Sequence, residues 1–273
     1  MVNLMRAVGA LRGNETPRLF SYCLRIDDGA APNPFWGLCT LVICKPVIRR
    51  TASEGDWVVG VGSKNTPMGD CSGKVIYAMQ VSRIVAMRDY EAFVRSECPE
   101  KVPDWHHRDG RRRVGDAVYD FATNPPKVRA SVHTNRNRRR DLGGEKALIS
   151  NHFFYFGRAP EPLPADLLPI VRQGQGHQVK KNEPYVERFV GWVEGLGVTR
   201  NKVLALPQYD FPLHGTDPGA CACAALEEAD ENEATVLRRA PERVLSGPFQ
   251  ERTSPSPSSS ADECGGGGGR QAG

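Results

Sequence analysis

Four side chains stand where a reaction would need an acid, a base or a nucleophile. They are Asp56 in a Gly-Asp turn, Lys64 in a polar loop, His133 two residues after Ser131, and Cys39 in an apolar run. His133 beside Ser131 has the make-up of a general base with a hydroxyl partner, but the sequence assigns no third group to orient it. Each of the four also has a plainer role. An aspartate in a Gly-Asp turn more often serves the turn than the chemistry. A lone histidine in a β-rich chain is more often structural, and Cys39 within LCTLVI is expected to be buried and inert. His106 and His107 are adjacent without a cysteine or carboxylate cluster at ligand spacing, so no metal site is expected. No phosphate loop, dinucleotide fingerprint, zinc-deaminase pattern or G-x-S-x-G elbow is present, and no cofactor is expected.

A second group of residues suits binding. Asn33, Phe35 and Trp36 sit in APNPFWG, where two prolines hold the backbone extended; flat rings and an amide suit a nucleobase. Ser63 and Lys64, followed by Asn65, occupy the polar loop of residues 63–73, and Tyr77 lies in the strand after it. Lys45, Arg49 and Arg50, at what reads as a strand end, are the candidate phosphate contacts. The alternatives are that Phe35 and Trp36 close the end of the core and that the three cations are ordinary solvated charges.

The elements that must position these groups centre on residues 55–81. A Gly-Asp turn launches WVVGVG, a polar loop follows, and then a stretch in which Val75, Tyr77, Met79 and Val81 alternate with their neighbours: a hairpin. Gly60 and Gly62 carry no Cβ and let another backbone or a flat ligand come close. Strands are expected at 19–26, 38–43, 114–121 and 147–156. Helices are expected at 88–98, with Asp89 as N-cap, and from Asn182 to the glycine at 197. The pattern predicts an α+β fold with a mixed, barrel-like sheet core and a few flanking helices.

Composition sets the limits. Residues 1–16 read as a leader, 17–210 as one domain and 211–273 as a low-complexity tail. The Ser-, Pro- and Gly-rich stretch from 246 onward cannot bury enough apolar surface to order itself. Net charge is only +4, yet residues 108–140 hold ten Arg or Lys against three Asp, and acidic residues gather after Ala224. Such an uneven distribution suits a phosphate-bearing partner. The eight cysteines form no C-x-x-C pair, and the N-terminus is too short and interrupted for a signal peptide or membrane span. Reduced thiols in the cytoplasm, away from membranes, are expected.

The motifs Asp28-Gly29, Ala31-Pro32-Asn33-Pro34-Phe35, Cys39-Thr40-Leu41 and Cys44-Lys45-Pro46 form a consistent series. It continues through Gly55-Asp56-Trp57-Val58, Gly62-Ser63-Lys64, Tyr77-Ala78-Met79, Gly115-Asp116, Ser131-x-His133 and Tyr155-Phe156-Gly157. With them the chain resembles the second type of nucleotide-modification-associated domain, a bacterial and phage family, over roughly residues 19–208. More distantly, its rhythm is similar to pseudouridine-synthase-and-archaeosine-transglycosylase barrels and EVE domains, which hold a modified base in a barrel-end cleft. The resemblance implies a partner that is a modified nucleotide or DNA, in company with DNA-modification enzymes. The expected function is recognition of a modified base in a barrel-end pocket. The alternatives are an enzyme acting on a modified nucleotide or base, and an adaptor for a modifying enzyme.

Overall fold

A computed structural model describes residues 16–219; of the expected leader and tail, all but residue 16 and residues 211–219 lie outside the described residues. The larger sheet is built on β1 (Leu19–Leu24), β3 (Trp57–Gly62) and β4 (Lys74–Gln80), and β2 (Cys39–Leu41) belongs to a second sheet. β1 runs parallel to β3, and β3 antiparallel to β4, as the hairpin pattern predicts. β9 (Phe153–Tyr155) and β10 (Glu161–Pro162) add to β4, and β11 (His177–Gln178) adds to β1. The second sheet is antiparallel, in the order β2, β8 (Lys146–Ser150), β5 (Arg83–Ala86). β6 (Tyr119–Asp120) and β7 (Lys127–Val128) make a small ribbon. The fold is α+β with a mixed main sheet. Among the described residues neither sheet closes into a barrel, because β10 and β11 end the larger one without pairing with each other.

Three apolar clusters stack the layers. Phe20, Tyr22, Val58, Tyr77 and Met79 of the larger sheet meet Cys39, Leu41 and Leu148 of the smaller one. The far face of the larger sheet, with Trp57, Val59, Val61 and Phe154, packs on Val186, Phe189 and Val193 of α5 (Val186–Glu194). The far face of the smaller sheet, with Ala147 and Ile149, packs on Tyr90 and Val94 of α2 (Met87–Glu97) and on Trp105, Val114 and Tyr119. Period-two alternation therefore sorts each strand's side chains into two cores. Tyr77 lies opposite Gly60, and a bulge at Ile76 then shifts the register so that Val61 faces Val75. What approaches Gly60 and Gly62 is the protein itself: an added Cβ would stand 2.5 Å from the Tyr77 ring and 2.5 Å from Cys71 Cβ, respectively.

Five expectations change. Of the run 114–121 only β6 is strand, since Val114 caps the end of α3 (Gly110–Arg113). The run 147–156 is two strands in two sheets, since Asn151 and His152 turn the chain between β8 and β9. Residues 48–50 are not a strand end but part of α1 (Pro46–Thr51), with Pro46 pre-set for the first helical turn. α2 begins at Met87 with Ala86 as its N-cap, which places Asp89 inside the first turn. Asn182 and Pro184 lie in a 3-10 segment, Lys180–Tyr185, ahead of α5. Beyond residue 210, Phe211 packs on Phe35, Arg113 Nε donates to Pro212 O, and the Gly219 amide donates to Ser131 O at 3.0 Å.

Candidate active site

The site grows out of the register between β2 and β8. Cys39 pairs with Ser150 and Leu41 with Leu148. The same antiparallel order carries the chain leaving β2 past the chain entering β8. Cys44 follows β2, and Asp141 lies in α4 (Arg138–Leu142), just before β8. Their meeting is fixed by sheet pairing, although they are far apart in sequence. The Cys44 amide donates to Asp141 Oδ1 at 2.8 Å.

His133 joins them on the segment between β7 and α4. Its Nδ1–H donates to Asp141 Oδ2 at 2.6 Å, and its Nε2 stands 3.5 Å from Cys44 Sγ. Asp141 Oδ2 also accepts from the Tyr119 hydroxyl at 2.7 Å. A thiol, an imidazole and a carboxylate thus stand in line, each within reach of the next, as nucleophile, base and orienting group do in thiol-dependent enzymes. Ser131, expected as the hydroxyl partner of His133, donates instead to the His133 main-chain carbonyl at 3.1 Å.

Electrostatics binds the three together. Burial alone would lower the His133 pKa, but the charges of Asp141 and Cys44 outweigh it and hold the imidazole well above its usual range. Asp141 is likewise desolvated, which raises its pKa, yet His133 and the Tyr119 and Cys44 donors bring it down to about 2. The favoured state is a carboxylate against an imidazolium, and such an imidazolium stabilises a thiolate on its other nitrogen. The three ligand atoms also lie within 4.8 Å of one another, a spacing a metal ion would accept. Here, however, the two ring nitrogens of His133 face different partners, which suits proton transfer through the ring better than shared coordination.

The backbone presents the thiol at a sharp bend. Cys44 and Lys45 both take left-handed conformations, with φ 56° and 40°. Two successive non-glycine residues there cost of order 1–3 kcal/mol each. The path is strand, tight turn, helix: the geometry of a nucleophile elbow, without the glycine pattern that would have marked it. Arg49 holds the bend from beneath. It is fully buried and donates to Cys44 O at 2.7 Å, to Lys146 O at 2.8 Å and to Asp141 O.

The other expected site residues divide by burial. Asn33 is buried in a polar cluster, where its Nδ2 donates to Val114 O at 2.9 Å and its Oδ1 accepts from Lys101 Nζ at 2.8 Å. Phe35 is core, and Trp36 is half-buried under the Arg111 guanidinium, 5.0 Å from its ring centre. Tyr77 is fully buried, its hydroxyl 2.9 Å from that of Tyr22. Asp56 is engaged by Arg18 and the Ser53 amide. Cys39 is buried, and its thiol is pushed up by desolvation. Ser63 and Lys64 lie on the 63–73 turn, Lys64 exposed; the exposed Arg50 donates to Gly143 O at 2.7 Å. Of the expected phosphate contacts, Arg49 is used inside the fold, whereas Lys45, next to Cys44 in the chain, is half-buried with its Nζ 4.6 Å from the Tyr22 ring centre. Sequence reasoning missed Cys44, Asp141 and Tyr119. The only local signal was Cys44-Lys45-Pro46, a cysteine between an apolar strand and a proline able to start a helix.

The model of the family described as nucleotide modification associated domain 2 matches residues 16–213. This chain belongs to that family. Cys44, His133 and Asp141 all fall inside the match, and the domain has a role related to nucleotide modification. No curated protein and no solved structure matches the chain. No helix among the described residues is long and apolar enough to cross a membrane.

Proposed function

We propose that the domain is a thiol-dependent enzyme acting on a nucleotide or nucleobase. The observation that carries this is the buried line Cys44–His133–Asp141 at the strained turn between β2 and α1. In this reading the Cys44 thiolate attacks an electrophilic carbon of the base or its substituent. The displaced electron pair moves to the leaving atom, which takes a proton from His133 Nε2. Water then attacks the same carbon, gives its proton to His133 Nε2, and the carbon–sulfur bond breaks to return the Cys44 thiolate. Asp141 holds the ring and balances its charge. Lys45 follows Cys44 in the chain; it and Arg25 act on Cys23, and it and Arg172 act on His177. These cations suit the phosphate of a nucleotide or of DNA.

Recognition without turnover is the second reading, and Trp36 favours it. Its indole N–H is buried with no hydrogen-bond partner among the described residues, next to a stacked arginine. The two separate in one experiment: the full chain and its Cys44→Ser variant are incubated with nucleotides and oligonucleotides carrying modified bases. The enzyme reading expects more product than protein, abolished by Cys44→Ser. Stoichiometric binding that Cys44→Ser leaves intact and Trp36→Ala weakens would overturn it.

A further inference from the structure

Asp28 leads into Ala30, which packs in the same buried cluster as Ile43 and Val132, the residues that precede Cys44 and His133. Asp28 follows β1, and its side chain is almost wholly buried. Oδ1 accepts from the Ala30 amide at 3.0 Å, while Oδ2 is buried without a hydrogen-bond partner among the described residues. Desolvation raises its pKa, and among the charges that act on it are Cys44, which raises it, and His133, which lowers it; the carboxyl therefore lies within electrostatic reach of both. Its neighbour Asp27 is differently placed, with both oxygens engaged by the Tyr155 hydroxyl and the Gln208 amide. A buried carboxyl oxygen with nothing to bind forfeits about 1–3 kcal/mol or more. An orphan acceptor within electrostatic reach of a thiol and an imidazole has the form of a group that a substrate completes.

We propose that Asp28 is the substrate-reading carboxyl of the Cys44 site, its Oδ2 binding an N–H on the edge of a nucleobase, either an exocyclic amine or a ring N–H. This rests on the reading of Cys44 as a nucleophile. It narrows the substrate class to bases that carry a nitrogen donor close to the carbon under attack, and it excludes bases whose facing edge offers acceptors only. Asp28 contacts substrate in this assignment without exchanging a covalent bond with it.

The test uses two small alkylating agents of the same shape and leaving group, 2-chloroacetamide and 2-chloroacetamidine. The amidine offers a charged N–H fork that a carboxylate at Asp28 can grip while Cys44 attacks the neighbouring carbon. Alkylation of Cys44 in the full chain is followed by peptide mass spectrometry at mildly alkaline pH. The ratio of the two rates is compared between the native protein, Asp28→Asn, Asp28→Ser and Asp28→Glu. Because charge-assisted hydrogen bonds are about twice as strong as neutral ones, the amidine-to-amide ratio is expected to fall by about tenfold in Asp28→Asn and to be largely kept in Asp28→Glu. Taking a ratio cancels any general change in thiol reactivity, and Asp28→Ser, which also removes the charge, carries the same expected fall if Asp28→Asn does not fold. Cys44 reacting with both reagents at a ratio that neither charge-removing variant alters overturns the assignment of Asp28 and leaves the nucleophile standing. Cys44 reacting with neither reagent overturns the nucleophile, and this inference with it.

Discussion

At Cys44 a thiol, an imidazole and a carboxylate share protons as a unit, so each can be probed through the others. The imidazolium of His133 is stabilised by Asp141 and by Cys44. Asp141→Asn removes the charge that holds His133 protonated while keeping an acceptor for its Nδ1–H. Alkylation of Cys44 by iodoacetamide at neutral pH is therefore expected to slow by about tenfold or more, with the folded structure retained. Equal rates in the two proteins would mean that the three groups form a structural knot only. Arg49 is the residue on which the knot rests, and its burial is tolerable because three carbonyls accept from it. Arg49→Met keeps the bulk but strands those acceptors, and a loss of roughly 3–5 kcal/mol in urea unfolding is expected, as when a buried charge network is broken. Neither Cys44 nor Asp141 announces itself by its neighbours in sequence. His133 does stand out as a lone histidine, but its partners lie 89 and 8 residues away.

At the scale of elements, the close contacts that glycines allow carry the architecture. An added Cβ on Gly144 would lie 2.3 Å from the Arg49 guanidinium carbon, so the loop between α4 and β8 has room for that arginine only as glycine. Gly144→Ala is expected both to destabilise the protein and to lower Cys44 alkylation, because displacing Arg49 releases Cys44 O and Asp141 O together. A change in stability alone, with alkylation untouched, would separate the brace from the site. Gly60→Ala pushes on the Tyr77 ring in the core between the two sheets, remote from this brace. It is expected to cost roughly 1–3 kcal/mol of overpacking in urea unfolding. The hairpin of β3 and β4 was legible because alternation and turn residues are local. The division of 147–156 was not, because both halves are apolar and only the second sheet separates them. α1 was hidden for a related reason: six residues give too little periodicity to outweigh an apolar run ahead of them.

The whole molecule carries its buried acids in opposed states, and this sets its response to pH. Asp141 has its folded pKa brought down to about 2, from an ordinary 3.8, so its stabilisation is present above the ordinary value and lost as pH falls through about 2. Desolvation pushes Asp27 up to about 7, with the Tyr155 and Gln208 hydrogen bonds only partly opposing it. The sign is then reversed: the protonated acid suits the fold, and stability is lost as pH rises from about 4 to about 7. Denaturation midpoints of the full chain are expected to climb out of strong acid and then decline towards neutrality. An infrared titration of the buried carboxyl stretch should show one acid ionising near pH 7. A midpoint that keeps rising through neutrality would mean that Asp27 is ionised throughout.

By itself the sequence determined the fold class, the central hairpin, the terminal helix and membership of a nucleotide-modification family, because periodicity, turn chemistry and motif order are written locally. It also carried every residue of the candidate site, without showing that they belong together. That was decided by the tertiary structure. The pairing of β2 with β8 brings Cys44 to Asp141, the turn after β7 delivers His133 between them, and burial turns ordinary side chains into a coupled charge network. Asn33 and Tyr77 read as display residues because amides and rings suit ligands. The same chemistry suits a buried hydrogen-bond cluster equally well, and only packing tells the two apart.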